Sequence, residues 1–242
     1  ITLNHIYNNS IGIYQHWGSN NIHNNTIDNS SDDGIQLRYS NNNVIEHNDI
    51  TNNSRYGVWL WGSRNNTLSE NNITSNDDGV YARPDSYAPE DNRIIDNEFS
   101  ENTNGITFWE ESINSTIRGN YFTNNSDYGI WIRDKSTNNL IEDNEMYGDA
   151  TGIYIQQSNG CQIVRNLING SESRGIHLFE ANRTIVEENE VFNVGGFIHD
   201  KAILIRDLCT YNIIKKNSVY DNNYGIVLEG QSTGYPKHNM IS

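Results

Sequence analysis

Aliphatic residues recur along the chain in two frames that alternate about every 23 residues. In one frame a glycine leads into alternating aliphatic and polar or aromatic positions: Gly34-Ile35-Gln36-Leu37-Arg38, Gly57-Val58-Trp59-Leu60-Trp61, Gly79-Val80-Tyr81-Ala82-Arg83 and Gly129-Ile130-Trp131-Ile132-Arg133. Period two predicts a strand that buries its two aliphatics and shows the residues between them on its other face. The other frame, aliphatic-x-x-Asn-x-aliphatic, comes before each of these strands. It runs from Ile1/Asn4/Ile6 and Ile22/Asn25/Ile27 through Leu68/Asn71/Ile73 and Ile117/Asn120/Phe122 to Ile214/Asn217/Val219, ten copies in all.

Each repeat therefore reads as short strand, Asn turn, short strand, polar loop, Gly-Ile strand and Ser/Asn turn. Three short strands per repeat predict an all-β solenoid, a parallel β-helix of about ten rungs. Its strands pair with the rung above and below, and Ile, Leu, Val and Phe fill the interior. The Asn at each bend tolerates the left-handed backbone and can pass its side-chain amide bonds up the stack as a ladder. Two rungs carry insertions, Arg83 to Glu90 after the Gly-Ile strand of rung four and Asn193 to Asp200 before that of rung nine. Insertions into a solenoid map to loops, often bordering a binding face. The chain begins and ends inside a repeat, so residues 1–242 read as one domain cut from something longer.

Asn supplies roughly one residue in six, a composition that by itself suggests disorder; the periodic aliphatics overrule that reading. A formal net charge of −15 argues against general binding to nucleic acid or to an anionic membrane. No run of about 18 apolar residues exists, so no membrane insertion is expected. Cys161 and Cys209 fall about two rungs apart, roughly 10 Å at the usual strand spacing, too far for a disulfide. Two free thiols are expected.

Stacking the Gly-Ile strands in register lines up outward columns. The first runs Tyr14, Gln36, Trp59, Tyr81, Thr107, Trp131, Tyr154, His177, Leu204 and Val227. The second runs His16, Arg38, Trp61, Arg83, Trp109, Arg133, Gln156, Phe179, Arg206 and Glu229. Aromatics spread along a strip suit sugar rings, whose apolar faces stack on indole and phenol. Arginine forks suit a carboxylate or sulfate, so an acidic sugar fits this face. Cation–π pairing of the same Trp and Arg is the alternative. At the strand's end a third column holds Tyr39, Gly62, Pro84, Glu110, Asp134, Gln157, Glu180, Asp207 and Gly230. Glu110 with Asp134, and Glu180 with Asp207, place two carboxylates on adjacent rungs, the arrangement glycoside hydrolysis needs. A uronate lyase needs instead a base and a group to neutralise the carboxylate, for which Tyr154, His177, Lys135 and Arg133 are candidates. No cofactor is expected; calcium at Asp32-Asp33 and Asp77-Asp78 is a weaker thought, since those pairs lie two rungs apart.

The repeat Asn-Asn-x-Ile-x-x-Asn-x-Ile followed by Gly-Ile-x-Leu-x-x-Ser resembles the right-handed parallel β-helix repeats of the NosD-like and carbohydrate-active group. That resemblance implies a substrate groove along the strand after the loop that follows the Asn bend, here the Gly-Ile strand. The Asn-rich, acidic style is similar to archaeal surface proteins, among them the disaggregatase type that cuts an acidic matrix polysaccharide. Copper delivery, another role within the group, is disfavoured by two Met and scattered His. The expectation is an extracellular or cell-surface enzyme that binds a uronate-containing polysaccharide along the Trp/Arg face and hydrolyses it with paired carboxylates. A lyase on the same face and a non-catalytic glycan-binding adhesion module are the alternatives. Oligomeric state and stereochemistry stay open.

Overall fold

A computed structural model of the chain describes residues 1–196, 199–230 and 234–242. Among these residues thirty strands form three ten-stranded sheets, and every third strand in chain order joins the same sheet. One sheet takes the strands before the Asn bend, such as Thr67–Ser69 and Arg93–Ile95. The second takes those after it, such as Asn72–Thr74 and Glu98–Ser100. The third takes the Gly-Ile strands, among them Tyr56–Trp61, Asp78–Arg83 and Tyr128–Arg133. Neighbouring strands pair parallel and in register, as Ile73 with Ile50 and Phe99. The chain is an all-β parallel β-helix of ten rungs. Among the described residues no helix is long and apolar enough to cross a membrane.

Inward aliphatics stack into columns down the axis. Ile22, Ile45, Leu68, Ile94 and Ile117 make one and Ile27, Ile50, Ile73, Phe99 and Phe122 another, all with no exposed surface. Burying each such side chain contributes about 1.5–3 kcal/mol, and Phe99 and Phe122 add a stacked ring pair at 5.0 Å.

At the bend between the first two sheets, ten asparagines from Asn4 to Asn217 form a continuous ladder. Each donates its backbone N–H and its Nδ2 to Oδ1 of the next; for Asn97 to Asn120 the distances are 2.9 and 3.0 Å. Nδ2 of Asn97 also reaches the carbonyls of Leu68 and Ile95 at 2.9 and 3.0 Å. The ladder Asn, a residue type that tolerates the left-handed backbone, does not adopt it; the residue before it does. Asn24, His47, Glu70, Asp96, Asp143 and Arg165 hold φ between 53° and 55°. That residue turns the chain, which leaves the Asn with an ordinary φ and its side chain pointing along the corner, where it meets its neighbour. Two further ladders close the other corners, one through Asn43, Asn66, Asn92 and Ser115 and one through Asn53, Asn76, Asn102, Asn125 and Asp149. Both cysteines are free and buried, and burial pushes each thiol up to about 11. Of the rung-nine insertion, Phe197 and Ile198 lie outside the described residues.

Asp149 is an acid at an asparagine's place. Its Oδ1 accepts from the N–H and Nδ2 of Asn125 at 2.9 and 2.7 Å, while its buried Oδ2 has no partner. Burial pushes its pKa up from 3.8 to about 7. A folded-state pKa above the unfolded one means the native state holds the proton more tightly, so native stability falls as pH rises from about 4 to 7 and the penalty is complete above that window. Asp149→Asn supplies the missing amide and removes the charge. It is expected to raise unfolding free energy by about 2–4 kcal/mol at pH 8 and to change it little at pH 3, measured by urea denaturation at both pH values.

Candidate functional site

The outward columns of the Gly-Ile sheet stand in the expected register. Gln36 pairs with Trp59, Trp59 with Tyr81, Tyr81 with Thr107, Thr107 with Trp131, Trp131 with Tyr154, and Tyr154 with His177. Arg38 pairs with Trp61, Trp61 with Arg83, Arg133 with Gln156, Gln156 with Phe179, and Phe179 with Arg206. A further outward column went unread in the sequence, formed by the residue just before the glycine, or before Ala202 in rung nine: Tyr56, Asp78, Asn104, Tyr128, Thr151, Arg174 and Lys201. Period two does not reach it: counted back from Trp61 and Trp59 the outward position is Gly57, yet a side-chain carbon on Gly57 would stand 2.7 Å from the core Ile73 Cγ2, so the alternation breaks at the glycine and turns Tyr56 outward.

The strip is a set of interleaved rings and cations. Trp59 and Trp61 stack at 4.4 Å and 6°, and Arg38 lies 4.0 Å over Trp61. Arg133 sits between Trp109 and Trp131, 4.6 and 4.2 Å from their rings. These are the cation–π pairs that stood as the alternative to ligand binding. Three of the four arginines also hold an acid of the chain: Arg38 with Asp85 at 3.1 Å, Arg133 with Asp134 at 2.7 Å and Arg206 with Asp207 at 3.4 Å. Arg83 is exposed and, among the described residues, makes no ion pair; it lies 5.7 Å over Trp109.

Several candidate residues are covered by these contacts. Trp59 and Tyr81 are 8% and 3% exposed, packed with Tyr56 into an aromatic cluster that Trp61 and Trp109 cover. Their flat faces meet other rings, so an open sugar platform at those two positions is not what the structure shows. Beneath them Asp78 accepts from Asn104 Nδ2 at 2.7 Å and from Thr107 Oγ1 at 2.6 Å, and burial pushes it up to about 6. Asp33 is fully buried and pushed up to about 7, first by burial and then by Asp32. His177 is 6% exposed, stacked on Tyr154 at 4.5 Å, with Nε2 unpartnered. Burial and the nearby Arg174, Arg206 and Lys201 hold it down near 3, while burial raises Tyr154 to about 12. Gln156 accepts from Trp131 Nε1 at 3.3 Å, and Phe179 lies under Arg206 at 6.0 Å. Glu180 accepts from Gln157 Nε2 at 2.7 Å. Asp207 is only 2% exposed. Among the described residues no group of three or more His, Cys, Asp or Glu is arranged to hold a metal ion.

The other pair is open. Glu110, Glu111, Asp134 and Lys135 line a surface cleft of about 350 Å³ with Pro84 and Asp85 from the rung-four insertion. All four residues of rungs five and six are left-handed, with φ of 47°, 53°, 53° and 66°. The corner therefore bulges outward by one residue in these two rungs. The insertion supplies the near wall. Asp85 accepts from Tyr39 and from Arg38, and these hydrogen bonds, that of Tyr39 foremost, hold it below the usual carboxylate range. Arg64 bonds the Ala88 carbonyl at 3.0 Å and the Glu90 carboxylate at 2.9 Å.

Stacked parallel strands with inward aliphatics, corner ladders and an outward groove define the class of β-helix proteins. The sequence matches the family described as right handed beta helix region over residues 1–146 and 134–242, and the chain belongs to it. No curated protein matches the sequence. Among solved structures it is similar to PfbA, a surface adhesin of Streptococcus pneumoniae (16% identity, TM-score 0.74, 90% of this chain and 64% of that one). It is also similar to the catalytic unit of a GH87 alpha-1,3-glucanase from Streptomyces thermodiastaticus (15%, 0.75, 96% and 49%). An alginate lyase from a Paenibacillus species matches at 13% and 0.58, covering 91% and 76%. The chain thus spans about half to two thirds of the first two structures, and likeness at this identity shows the fold.

Asp85→Ala should free the rung-four insertion while leaving the solenoid intact. Limited proteolysis is expected to cut within residues 84–90 several-fold faster, with the unfolding free energy changed by no more than about 1 kcal/mol. An unchanged cutting rate would show that the contacts of Arg64 and Tyr87 hold the loop without Asp85.

Proposed function

We propose that this chain is an extracellular or surface polysaccharide-acting β-helix protein that hydrolyses glycosidic bonds at the corner of rungs five and six. The observation that carries this reading is the cleft in which Glu110, Glu111 and Asp134 face one opening. Adjacent rungs set backbones about 4.8 Å apart, and carboxylates on such a frame reach the separations that glycoside hydrolysis uses. One carboxylic acid protonates the leaving oxygen, a second carboxylate takes a proton from water or attacks the sugar, and each cut adds one water. Lys135 lines the opening, Arg83 directly precedes its wall residue Pro84, and both cations favour an acidic sugar. Trp131, on a strand that leads into this corner, and Trp109, just past the end of another, are each only half-buried. The glucanase, the alginate lyase and the adhesin among the similar structures support a polysaccharide partner.

Burial weighs against the lyase alternative at two of its three candidate bases, since His177 is covered and Tyr154, pushed up to about 12, keeps its proton at neutral pH. Lys135 is the lyase candidate that lines the cleft. A second reading, a module that holds glycan without turnover, draws on Asp134 being tied to Arg133.

Products from a panel of uronate-containing and neutral polysaccharides should carry one added water per cut by mass spectrometry. Unsaturated ends would replace the hydrolase with a lyase, and retention without cleavage would favour the adhesion module. Glu110→Gln and Asp134→Asn are each expected to lower kcat by about 10²–10⁴ with folding unchanged by circular dichroism.

A further inference from the structure

The corner column that supplies Glu110 and Asp134 starts with three uncharged residues. Trp17, Tyr39 and Gly62 follow one another on successive rungs, their N–H groups donating to the carbonyls of Arg38, Trp61 and Arg83 at 3.2, 3.0 and 2.9 Å. The rung-four insertion folds back over them and brings Tyr87 to the same place. Trp17 and Tyr39 lie 4.8 Å apart and tilted by 32°, while Tyr87 stands nearly perpendicular to both, at 6.4 Å and 81° from Trp17 and at 5.8 Å and 89° from Tyr39. Three rings so arranged form walls. The strip's Trp59 and Trp61, by contrast, lie flat on each other and fill their own space.

The walls enclose a cavity of about 130 Å³, completed by Asn41, Gly62 and Arg64, which continues into a shallower hollow past Gly18, Ser19 and Asn42. Gly62 keeps it open: φ is +58°, and a side-chain carbon there would stand 3.1 Å from Tyr39 Cδ1 and from the Tyr87 carbonyl. Arg64, one of the lining residues, is neutralised by Glu90. The aromatic walls with an amide rim match a pyranose ring, whose apolar face stacks while its hydroxyls bond polar neighbours.

We propose that this pocket is a second glycan subsite that holds a pyranose ring of the same polysaccharide chain that lies in the acidic cleft. The inference rests on the glycan reading above and adds a length requirement. Pocket and cleft share one corner, and their centres are three rungs, about 14 Å, apart. An oligosaccharide must bridge that span to use both, so long chains gain affinity that short ones cannot.

Affinity electrophoresis in gels containing alginate or alpha-glucan, run on the whole chain, tests this. Trp17→Ala and Tyr87→Ala are expected to weaken retardation at least tenfold, and Trp17→Phe, which keeps a ring, to retain most of it. A folded Trp17→Ala protein retarded like wild type would overturn the subsite, whether or not the chain cleaves glycan. Retardation that depends on Trp17 in a protein that cleaves nothing would uphold the subsite and retire the hydrolase. Equal affinity of short and long oligosaccharides for wild type, by tryptophan fluorescence titration, would also overturn the bridging.

Discussion

Everything in this protein hangs on register between neighbouring rungs. A strand slipped by one residue would turn its isoleucines outward and its arginines into the core, so ten rungs must agree. The ladder at the Asn bend enforces that agreement. Each Asn both donates to the next and accepts from the last, and Asn48, Asn71, Asn97 and Asn120 are no more than 2% exposed. An amide displaced from its place would leave a buried donor and acceptor unpaired, which costs about 1–3 kcal/mol per group. Repeating that constraint along the axis makes the outward columns as regular as the core.

Corners are where this regularity is relaxed. A non-glycine residue in the left-handed region costs about 1–2 kcal/mol, yet the Gly-Ile strand's corner holds Trp17, Tyr39, Glu110, Glu111, Asp134, Lys135, Gln157, Glu180 and Asp207 in that conformation. The neighbouring rungs over-determine the turn, the N–H groups of Trp17, Tyr39, Glu111, Asp134, Lys135, Gln157, Glu180 and Asp207 being bonded to a carbonyl one rung up, as for Asp134 to Gln156 at 3.1 Å. The side chains are then free to vary. Rungs five and six take an extra residue there and rung four takes a loop, so the chemistry gathers at the corner while the strand stays regular.

Most of the strand face itself is spent on internal contacts. Aromatic rings on adjacent rungs come close enough to stack on one another, and guanidinium groups beside them find rings before they find a ligand, as Arg133 does between Trp109 and Trp131. The same crowding buries Asp78 and His177 on what is topologically the outer side of a sheet. Such residues stiffen the platform. The open positions are those that the crowding leaves over: Arg83, the carboxylates of the cleft and the rings around Gly62.

How much could be read without coordinates follows from the range of each interaction. The fold, the ten rungs, the register of the columns and the Asn ladder are all set by contacts between residues at one fixed sequence spacing, so a pattern along the chain carries them. The adjacency of Glu110 and Asp134 came from the same spacing. Which residue of the bend is left-handed was not legible, because Asn tolerates that conformation and also fills the ladder, and only the packed corner separates the two tasks. The path of the rung-four insertion was not legible either: Asp85 meets Tyr39 across a distance in sequence that no repeat encodes. Exposure was likewise beyond the sequence, since Trp59 and Trp131 occupy equivalent positions yet one is buried and the other half-open. The sequence by itself determined the solenoid and its columns through periodic burial and hydrogen bonding. Only the tertiary structure decided which column positions meet solvent, because that depends on how side chains of different rungs fill the space between them.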